Sequence, residues 1–400
     1  MEEVSLPSAR RVVYSLASLG LLLIFLPEVL GQSPRQVGLL FFLKAAGMAL
    51  NGPGLAFVSG LGGYAKTGSI LGRVLCYLLT LLLFEPVLRW IEHPSRVQPL
   101  APQAPAQVTR RSFLVAGSGL VSATLMGSYA GLYEIHHLQL EQFALTLPHL
   151  PPQLEGLRIV LMSDWHCGPI NRPHHLRPAI QLANRCRPDL VLLPGDFVSK
   201  SGTYFSEAGE LATQLRPRIP GGVVVTWGNH DYWEGIDLGK KWMSRAGCQL
   251  LTNQSLVLTP HRELAPSGRG LWICGLDDLW EGKPRLAETL AHISPDQARL
   301  VLSHNPDVAE EQHGPRVDLM LSGHTHGGQV RIPTLGTPIL PSRYGQKYAS
   351  GLVQAPDYKV YVGRGVGSSG LPLRFGVPPE VTVFELRRGS QVALSPIQLL

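Results

Sequence analysis

The amino-acid sequence predicts an α/β domain preceded by an α-helical membrane region, and two observations lead to this prediction. Residues 1–133 are dominated by long apolar stretches, whereas residues 134–400 alternate short apolar runs with polar loops that contain Gly or Pro. In the second part, short aliphatic runs closed by Gly, Asn or Asp are typical of buried strands that end in loops. There are five such runs, at residues 158–162, 190–194, 223–226, 299–302 and 317–321.

Transmembrane helices are predicted within residues 1–91. The stretches 12–30 and 70–88 approach the roughly 20 apolar residues that a bilayer span requires, with Glu28 in the first and Arg73 and Glu85 in the second as ionisable interruptions. The stretch 37–64 between them is broken by Lys44 and by an Asn-Gly-Pro-Gly string at residues 51–54. We expect this middle stretch to form either one bent span or a re-entrant pair of half helices.

A linker and a fourth apolar segment are predicted before the α/β domain. Residues 92–111 are rich in Pro, Gln and Ala and end in the twin arginines Arg110 and Arg111. That composition favours an extended chain without a core. Residues 112–133 begin with Ser-Phe-Leu and are rich in Gly, Ala and Ser. We expect this segment to be either a fourth span or a Tat-like signal anchor that resembles a twin-arginine export signal.

Both interpretations of the fourth segment place Arg110 and Arg111 on the cytoplasmic side of the membrane. They predict a multi-pass membrane protein whose α/β domain, residues 134–400, is extracytoplasmic. If Arg10 and Arg11 are also cytoplasmic, the stretch 37–64 must be re-entrant or must count as two short passes. No Ala-x-Ala cleavage site follows residue 132, so we expect the anchor to be retained.

The charge and cysteine content limit the kinds of partner and cross-link that we expect. The net charge of +6 is mild and spread along the chain, with no basic run interleaved with aromatic residues, so no nucleic-acid partner is expected. The five cysteines are an odd number without a Cys-x-x-Cys pair, so no disulfide framework is predicted. The oligomeric state stays open at this point.

Short polar strings follow the five predicted strands. Because ligand crevices of open α/β sheets lie at the carboxyl ends of strands, we expect these strings to converge. Aspartate, asparagine and histidine suit Mn, Fe, Zn or Mg rather than soft copper(I). The candidate ligands are enough for two adjacent divalent metal ions that share one carboxylate, namely Asp164, His166, Asp196, Asn229, His304, His324 and His326.

The ordered set Asp-x-His, Gly-Asp, Gly-Asn-His-Asp, His and Gly-His-x-His resembles the signature of the calcineurin-like metallophosphoesterase superfamily. The resemblance covers residues 154–400 and is greatest to its membrane-associated YkuE- and YaeI-like branch. That branch's Gly-His-Thr-His-x-Gly-Gln string is found here at residues 323–329, and its late Gly- and Pro-rich stretch at residues 365–380. The resemblance implies a four-layer α/β sandwich, in which two mixed sheets are flanked by helices.

The resemblance also implies how the ligands divide. One metal ion would be held by Asp164, His166, Asp196 and His326, and the other by Asp196, Asn229, His304 and His324. Asp196 would then bridge the two ions, which lie about 3.5–4 Å apart in two-metal hydrolases. The implied reaction is in-line attack of a metal-activated hydroxide on the phosphorus of a phosphate ester.

Other polar residues are candidates for catalysis or binding. His230 resembles the catalytic histidine that donates to the leaving-group oxygen. Asp231 is expected either to orient His230 by accepting a ring proton or to cap the helix that follows. Arg374 is the candidate for phosphate binding because a guanidinium matches phosphate oxygens, with a structural ion pair as the alternative. Asp277 and Asp278 are expected to form a turn, with a position lining the active-site cleft as the alternative.

The expected function is hydrolysis of a phosphodiester or phosphomonoester near the bilayer by a membrane-anchored, two-metal enzyme. One alternative substrate is the pyrophosphate of a lipid-linked nucleotide such as UDP-2,3-diacylglucosamine, which would require the site on the cytoplasmic face. A different class is a non-catalytic metal-binding scaffold. The complete set of candidate ligands favours the enzyme.

Overall fold

The computed structural model of the protein describes residues 127–397. The predicted spans of residues 1–91, the linker 92–111 and residues 112–126 of the fourth apolar segment lie outside the described residues. Within residues 127–397, no helix has the length and apolar character needed to cross a membrane. The end of the fourth segment is helical, with a π-helical turn at Tyr129–Tyr133 followed by a 3-10 turn at Glu134–His136.

The strands of residues 127–397 form two seven-stranded sheets. In chain order they are β1 (Gln139–Leu147), β2 (Arg158–Leu161), β3 (Leu190–Pro194), β4 (Val223–Thr226), β5 (Gln249–Leu250), β6 (Gln254–Leu258), β7 (Leu264–Ala265), β8 (Leu271–Gly275), β9 (Ala298–Leu302), β10 (Leu319–Ser322), β11 (Gly351–Gln354), β12 (Lys359–Val362), β13 (Glu380–Arg388) and β14 (Ala393–Pro396). The helices are α1 (Pro173–Arg185), α2 (Phe205–Ala212), α3 (Asn229–Arg245), α4 (Leu286–Leu290) and α5 (Val308–Glu311).

Both sheets are mixed. The first has the order β14-β1-β13-β2-β3-β4-β5, and the second has the order β11-β12-β10-β9-β8-β6-β7. The inner strands β2, β3 and β4 run parallel in the first sheet, as do β8, β9, β10 and β12 in the second. Antiparallel strands complete the outer parts, for example β13 beside β2 and β6 beside β8. The expected pair of mixed sheets is therefore confirmed.

Three apolar cores hold the two sheets and the helices together in layers. The central core joins the two sheets, with Leu192 and Val224 from the first and Leu300 and Leu321 from the second. A second core covers the outer face of the first sheet with α1, α2 and α3, and a third covers the second sheet with α4 and α5. Each inner strand is thus buried on both faces, which explains why its sequence is an uninterrupted aliphatic run instead of an alternating one.

The five predicted strands correspond to β2, β3, β4, β9 and β10, with ends that differ by no more than two residues. The parallel pairing of β1 with β13 was not predicted. Its partners are far apart along the chain, from Gln139 beside Glu380 to Leu147 beside Arg388. Most of β1 is only half-buried, so its sequence lacks the aliphatic run by which the inner strands are recognised. The described cysteines are free thiols.

Candidate metal centre

The loops after β2 and β3 lie side by side because backbone pairing continues past the strand ends. The amide of Asp164 donates to the carbonyl of Gly195 at 3.1 Å, and the amide of His166 donates to the carbonyl of Asp196 at 2.9 Å. In the second sheet, the amide of Gly323 donates to the carbonyl of His304 at 3.0 Å. Each polar string therefore extends its strand, and strands of both sheets deliver their side chains to one place.

A first cluster is formed by Asp164, His166 and His326. The Nε2 atoms of the two imidazoles are 2.8 Å apart, and Nε2 of His326 is 3.4 Å from Oδ1 of Asp164. All three residues are buried. Two of them come from the loop after β2 in the first sheet, and His326 comes from the loop after β10 in the second.

A second cluster is formed by Asp196, His304 and His324. Nε2 of His304 is 3.1 Å from Oδ2 of Asp196 and 3.2 Å from Nδ1 of His324. The same Oδ2 of Asp196 is 3.4 Å from Nε2 of His166 in the first cluster. One carboxylate oxygen of Asp196 therefore faces both clusters, which is the position that a bridging ligand needs.

Buried polar atoms without partners test whether metal ions fit here. Oδ2 of Asp164 and both side-chain polar atoms of Asn229 are buried and accept or donate no hydrogen bond within residues 127–397. An unsatisfied buried polar group costs about 1–3 kcal/mol. The two nitrogens of His166 and His326 that face each other at 2.8 Å also point their lone pairs toward one volume. Divalent cations would satisfy all of these atoms, so the residues fit metal ions.

The backbone is strained where the side chains converge. Five of the seven candidate ligands have left-handed φ angles, at 55° for Asp164, 43° for His166, 58° for Asp196, 69° for His324 and 52° for His326. This conformation costs a non-glycine residue on the order of 1–3 kcal/mol and is concentrated at functional sites. The rest of the fold holds these residues in place against that cost, so the ligand positions are built before any ion binds.

Two glycines of the polar strings are required by close packing against carboxylates. A Cβ atom at Gly228 would collide with Oδ1 of Asp196, and one at Gly323 would collide with Oδ2 of Asp164. Neither carboxylate can retreat, since each is buried among the other candidate ligands. The glycines in Gly-Asn-His-Asp and Gly-His-Thr-His thus let one loop approach the carboxylate of another.

Three of the four candidate ligand imidazoles are kept neutral by burial, and the fourth, His304, is held in its charged form by Asp196. Burial lowers the pKa of His166 to about 3 and holds the pKa of His324 and of His326 well below its usual range, so these rings have lone pairs to offer. Burial also opposes the charged form of His304, but attraction by Asp196 outweighs it and raises the pKa of His304 to about 10. Burial would raise the pKa of Asp196, yet the imidazoles, His304 first, hold it well below its usual range.

His230 lies beside the first cluster, in the first turn of α3. Its ring is 4.6 Å from the ring of His166 at an interplanar angle of 85°. Its Nδ1 lies 3.2 Å from Oγ of Ser199, and no hydrogen bond to its Nε2 occurs in the part of the chain that the structure describes. A ligand-capable nitrogen of His230 also groups with His166 and Asp196.

The expected contact between Asp231 and His230 is absent, and Asp231 has a different role. Its carboxylate accepts from the amides of Asp196 and Phe197 at 2.9 and 2.8 Å, and from the amide of Gly228 at 2.9 Å. This corrects the orienting role and agrees with the alternative, in which Asp231 caps α3. Burial, with repulsion by Asp196, raises the pKa of Asp231 to about 8. The residue fixes the backbone that carries Asp196.

The expected phosphate-binding role of Arg374 also needs correction. The side chain is fully buried behind His326, and its guanidinium donates to the carbonyls of Val377 at 3.1 Å, Arg364 at 2.8 Å and Gly367. Burial lowers its pKa to about 10. These carbonyls, not a carboxylate, accept from the guanidinium, which stabilises the 364–377 loop and also lies 3.4 Å from Nδ1 of His326.

Asp277 and Asp278 form a turn, as expected. Asp277 accepts from the amides of Asp278 and Lys283 at 2.9 Å, and Asp278 accepts from the amides of Trp280 and Glu281 at 2.9 and 2.8 Å. This turn lies against the second cluster, because the ring of Trp280 is 4.4 Å from that of His324.

Two functional features were not anticipated from the sequence. Ser199 stands between the rings of His166 and His230, and two tryptophans lie against histidines of the site, with Trp233 4.6 Å from the ring of His230 and Trp280 4.4 Å from that of His324. The sequence feature that could have indicated them is their short spacing from candidate site residues. Ser199 lies three residues after Asp196, and Trp233 lies three residues after His230.

Comparisons with known proteins agree with this site. The profile described as calcineurin-like phosphoesterase matches residues 157–328, which include every candidate metal ligand. The chain is 32% identical to the uncharacterized metallophosphoesterase YkuE of Bacillus subtilis (strain 168), over 70% of this chain and 98% of the relative. It is 33% identical to phosphodiesterase YaeI of Escherichia coli (strain K12), over 70% and 99%. It is also 26% identical to a transmembrane protein with metallophosphoesterase domain of Danio rerio, over 77% and 71%.

Proposed function

The chain belongs to the calcineurin-like metallophosphoesterase family, whose members are metal-dependent phosphoester hydrolases, and on that basis we propose a membrane-anchored enzyme that hydrolyses a phosphodiester or phosphomonoester at the bilayer surface. The single observation that carries this proposal is the shared Oδ2 of Asp196, which lies 3.4 Å from Nε2 of His166 and 3.1 Å from Nε2 of His304. Two ligand clusters joined through one carboxylate are the arrangement that two-metal hydrolysis needs.

The two clusters support a division of the ligands between two ions. In this proposal the first ion would be held by Asp164, His166, His326 and Asp196, and the second by Asp196, His304, His324 and Asn229. Bound divalent ions lower the pKa of a coordinated water and withdraw charge from phosphate oxygens. The donors are carboxylate, amide and imidazole, a set that accepts Mn, Fe, Zn or Mg, so the metal identity stays open.

His230 supplies the hydrogen bond to the leaving-group oxygen in this proposal. Its Nδ1 is engaged by Ser199, which leaves Nε2 as the ring atom that can face a substrate. The ring lies between His166 and Trp233, each with its centroid 4.6 Å away. These contacts fix the His230 ring beside the first cluster.

The membrane anchor is supported by apolar side chains at the start of the described chain. Tyr129, Leu132 and Tyr133 are exposed, Leu132 by 68% of its surface, directly after an apolar stretch of sequence. Tyr129 contacts Phe375, and Leu335, which lies four residues after Arg331, the backbone partner of Phe375, is exposed by 76%. Tyrosines at the end of an apolar helix are typical of a membrane interface.

The same region borders the chain segment that follows the candidate ligand His326. Tyr129, Tyr133, Arg331 and Phe375 line a cavity of about 470 Å³. The amide of Arg331 donates to the carbonyl of Phe375 at 2.7 Å, and Arg331 follows the ligand His326 by five residues. We place the domain on the extracytoplasmic face because Arg110 and Arg111 precede the fourth apolar segment. The substrate is then a phosphate ester held at that surface.

The test of the activity uses the full chain in detergent, stripped of metal and titrated with Mn, Fe, Zn, Mg or Ca. Substrates are bis(p-nitrophenyl) phosphate and p-nitrophenyl phosphate, and Asp196→Asn serves as the control for contaminating phosphatases. Metal-dependent turnover in the native chain alone supports the proposal. A folded chain that binds two ions without turnover would favour a lipid-linked nucleotide pyrophosphate such as UDP-2,3-diacylglucosamine. A chain that binds no metal would overturn it.

The test of the membrane surface uses bimane fluorophores on the full chain in vesicles that contain nitroxide-labelled lipids. A probe at Leu335→Cys should be quenched by the lipid label. A probe at Leu352→Cys, an exposed position on β11 that lies 40% in solvent, is the matched control and should not be. Equal quenching at both positions, or at neither, would contradict the proposed docking of this face.

A further inference from the structure

Ser199 connects two imidazoles of the site. Its Oγ lies 2.6 Å from Nδ1 of His166 and 3.2 Å from Nδ1 of His230. The hydroxyl has one proton to donate and two lone pairs with which to accept. The direction of the two hydrogen bonds is therefore decided by which imidazole needs the proton.

The tautomer of His166 follows from its surroundings. Its Nε2 points into the candidate metal centre, 2.8 Å from Nε2 of His326 and 3.4 Å from Oδ2 of Asp196. A neutral imidazole that offers one nitrogen to a cation carries its proton on the other. His166 then has its proton on Nδ1, and this N–H donates to Oγ of Ser199.

The proton of Ser199 is left for His230. With Oγ accepting from His166, the hydroxyl can donate to Nδ1 of His230, and no other acceptor for it occurs among residues 127–397. A neutral His230 that accepts at Nδ1 carries its own proton on Nε2. The ring cannot easily turn over, because it is held between His166 and Trp233.

We propose that Ser199 is a positioning residue that passes the tautomer of the metal ligand His166 to His230, so that His230 presents an Nε2–H donor to the leaving-group oxygen. The chain of hydrogen bonds runs from Nδ1–H of His166 to Oγ of Ser199, and from its O–H to Nδ1 of His230. Binding of a cation at His166 thereby sets the donor that the reaction uses. This inference rests on the proposed phosphoesterase activity and on His230 as its donor.

The experiment combines kinetics with a readout that does not depend on turnover. Ser199→Ala removes the bridge, Ser199→Thr keeps a hydroxyl, and Ser206→Ala is a control on α2, where the serine hydroxyl donates to the carbonyl of Thr203. In full chain loaded with Zn and labelled with ¹⁵N-histidine, the native and Thr variants should show His230 as a single Nε2–H tautomer. The Ala variant should show a mixture of tautomers, with two bound metal ions unchanged.

The kinetic arm compares aryl phosphate esters that differ in leaving group. For p-nitrophenol, a good leaving group, Ser199→Ala should change kcat less than about twofold. For phenol, it should lower kcat about tenfold or more, since a donor matters most where the oxygen keeps its charge. Ser199→Thr should restore the rate, and Ser206→Ala should leave both rates unchanged.

A further variant reverses the hydrogen-bond direction. Ser199→Asp can only accept, so it should force a proton onto Nδ1 of His230, which the ¹⁵N spectrum reports even in an inactive protein. An unchanged tautomer in both the Ala and Asp variants would overturn the proposal. Loss of metal in the Ala variant would also overturn it, because Ser199 would then act on His166 alone. If the native chain shows the Nε2–H tautomer without turnover, the proposed phosphoesterase activity is wrong, whereas the proposed role of Ser199 is supported.

Discussion

The two metal clusters share Asp196 and both draw on both sheets, yet they differ in charge and in strain. The first cluster has its own carboxylate, Asp164, in addition to Asp196, whereas in the proposed assignment the second would be completed by the neutral amide of Asn229. All three residues of the first have left-handed backbones, but His304 in the second does not. The first is therefore the more negative and the more completely preformed.

This difference predicts unequal affinity. Two carboxylates attract a divalent cation more strongly than one, and ligands whose strained backbones are already in place require less reorganisation on binding. The buried guanidinium of Arg374, 3.4 Å from Nδ1 of His326, opposes part of that advantage. We expect the second ion to be the first to leave when metal is removed by a chelator.

The largest effect is expected where the clusters meet. Asp196→Asn removes the shared charge, so the protein should retain fewer than half of its metal ions and kcat should fall about 10⁴-fold. Metal content by mass spectrometry and turnover of bis(p-nitrophenyl) phosphate measure the two changes. Asp237→Asn is the control, an exposed carboxylate on α3 that forms an ion pair with Lys240. Retention of both ions would show that Asp196 does not bridge.

A smaller and one-sided effect is expected from Asp164→Asn. Asparagine still accepts the hydrogen bond that Oδ1 receives from the amide of His324 at 3.0 Å, so the loops should stay in place. The loss of charge should empty the first cluster, leave one ion per chain in the second, and lower kcat about 10³-fold. Equal depletion of both ions would mean that the clusters are not separable.

Asn229→Ala should affect the second cluster in two opposite ways. Affinity for the second ion should fall about 10- to 100-fold, with kcat recovered at millimolar metal. The metal-free protein should be more stable by about 1 kcal/mol, since the side-chain atoms of Asn229 are buried without partners. Thermal unfolding in chelator and metal titration of kcat measure these changes. A destabilised metal-free protein would contradict the assignment.

The residues that could be predicted from sequence are those whose placement is local. Asp164, Asp196 and His304 directly follow buried aliphatic strands, and parallel strands bring their carboxyl ends to one edge. Most of the candidate metal ligands could therefore be predicted from the strands that they follow. The four-layer order followed from the resemblance, and its two mixed sheets are confirmed.

What could not be predicted depends on contacts between loops. Asp231 accepts from the amides of Asp196 and Phe197 instead of contacting His230. This choice depends on left-handed backbone turns at non-glycine residues, which cannot be predicted from the residue types. The position of Ser199 between two rings has the same origin. Arg374 looked like a phosphate ligand because its charge is visible in the sequence and its burial is not.

The smallest effect on the metal site, and the sharpest contrast with the sequence-based expectation, is expected from Arg374→Met. Methionine fills much of the volume but leaves the carbonyls of Arg364, Gly367 and Val377 without donors, so the free energy of unfolding should fall by about 2–4 kcal/mol. The KM for phosphate esters should stay within about twofold, because the guanidinium does not reach the cleft. Because the variant lacks the positive charge of the guanidinium behind His326, the first metal ion should be bound at least as tightly as before. Denaturant unfolding of the metal-free protein and steady-state kinetics of the loaded one separate these effects. A large rise in KM with unchanged stability would instead support the expected role of Arg374 in phosphate binding.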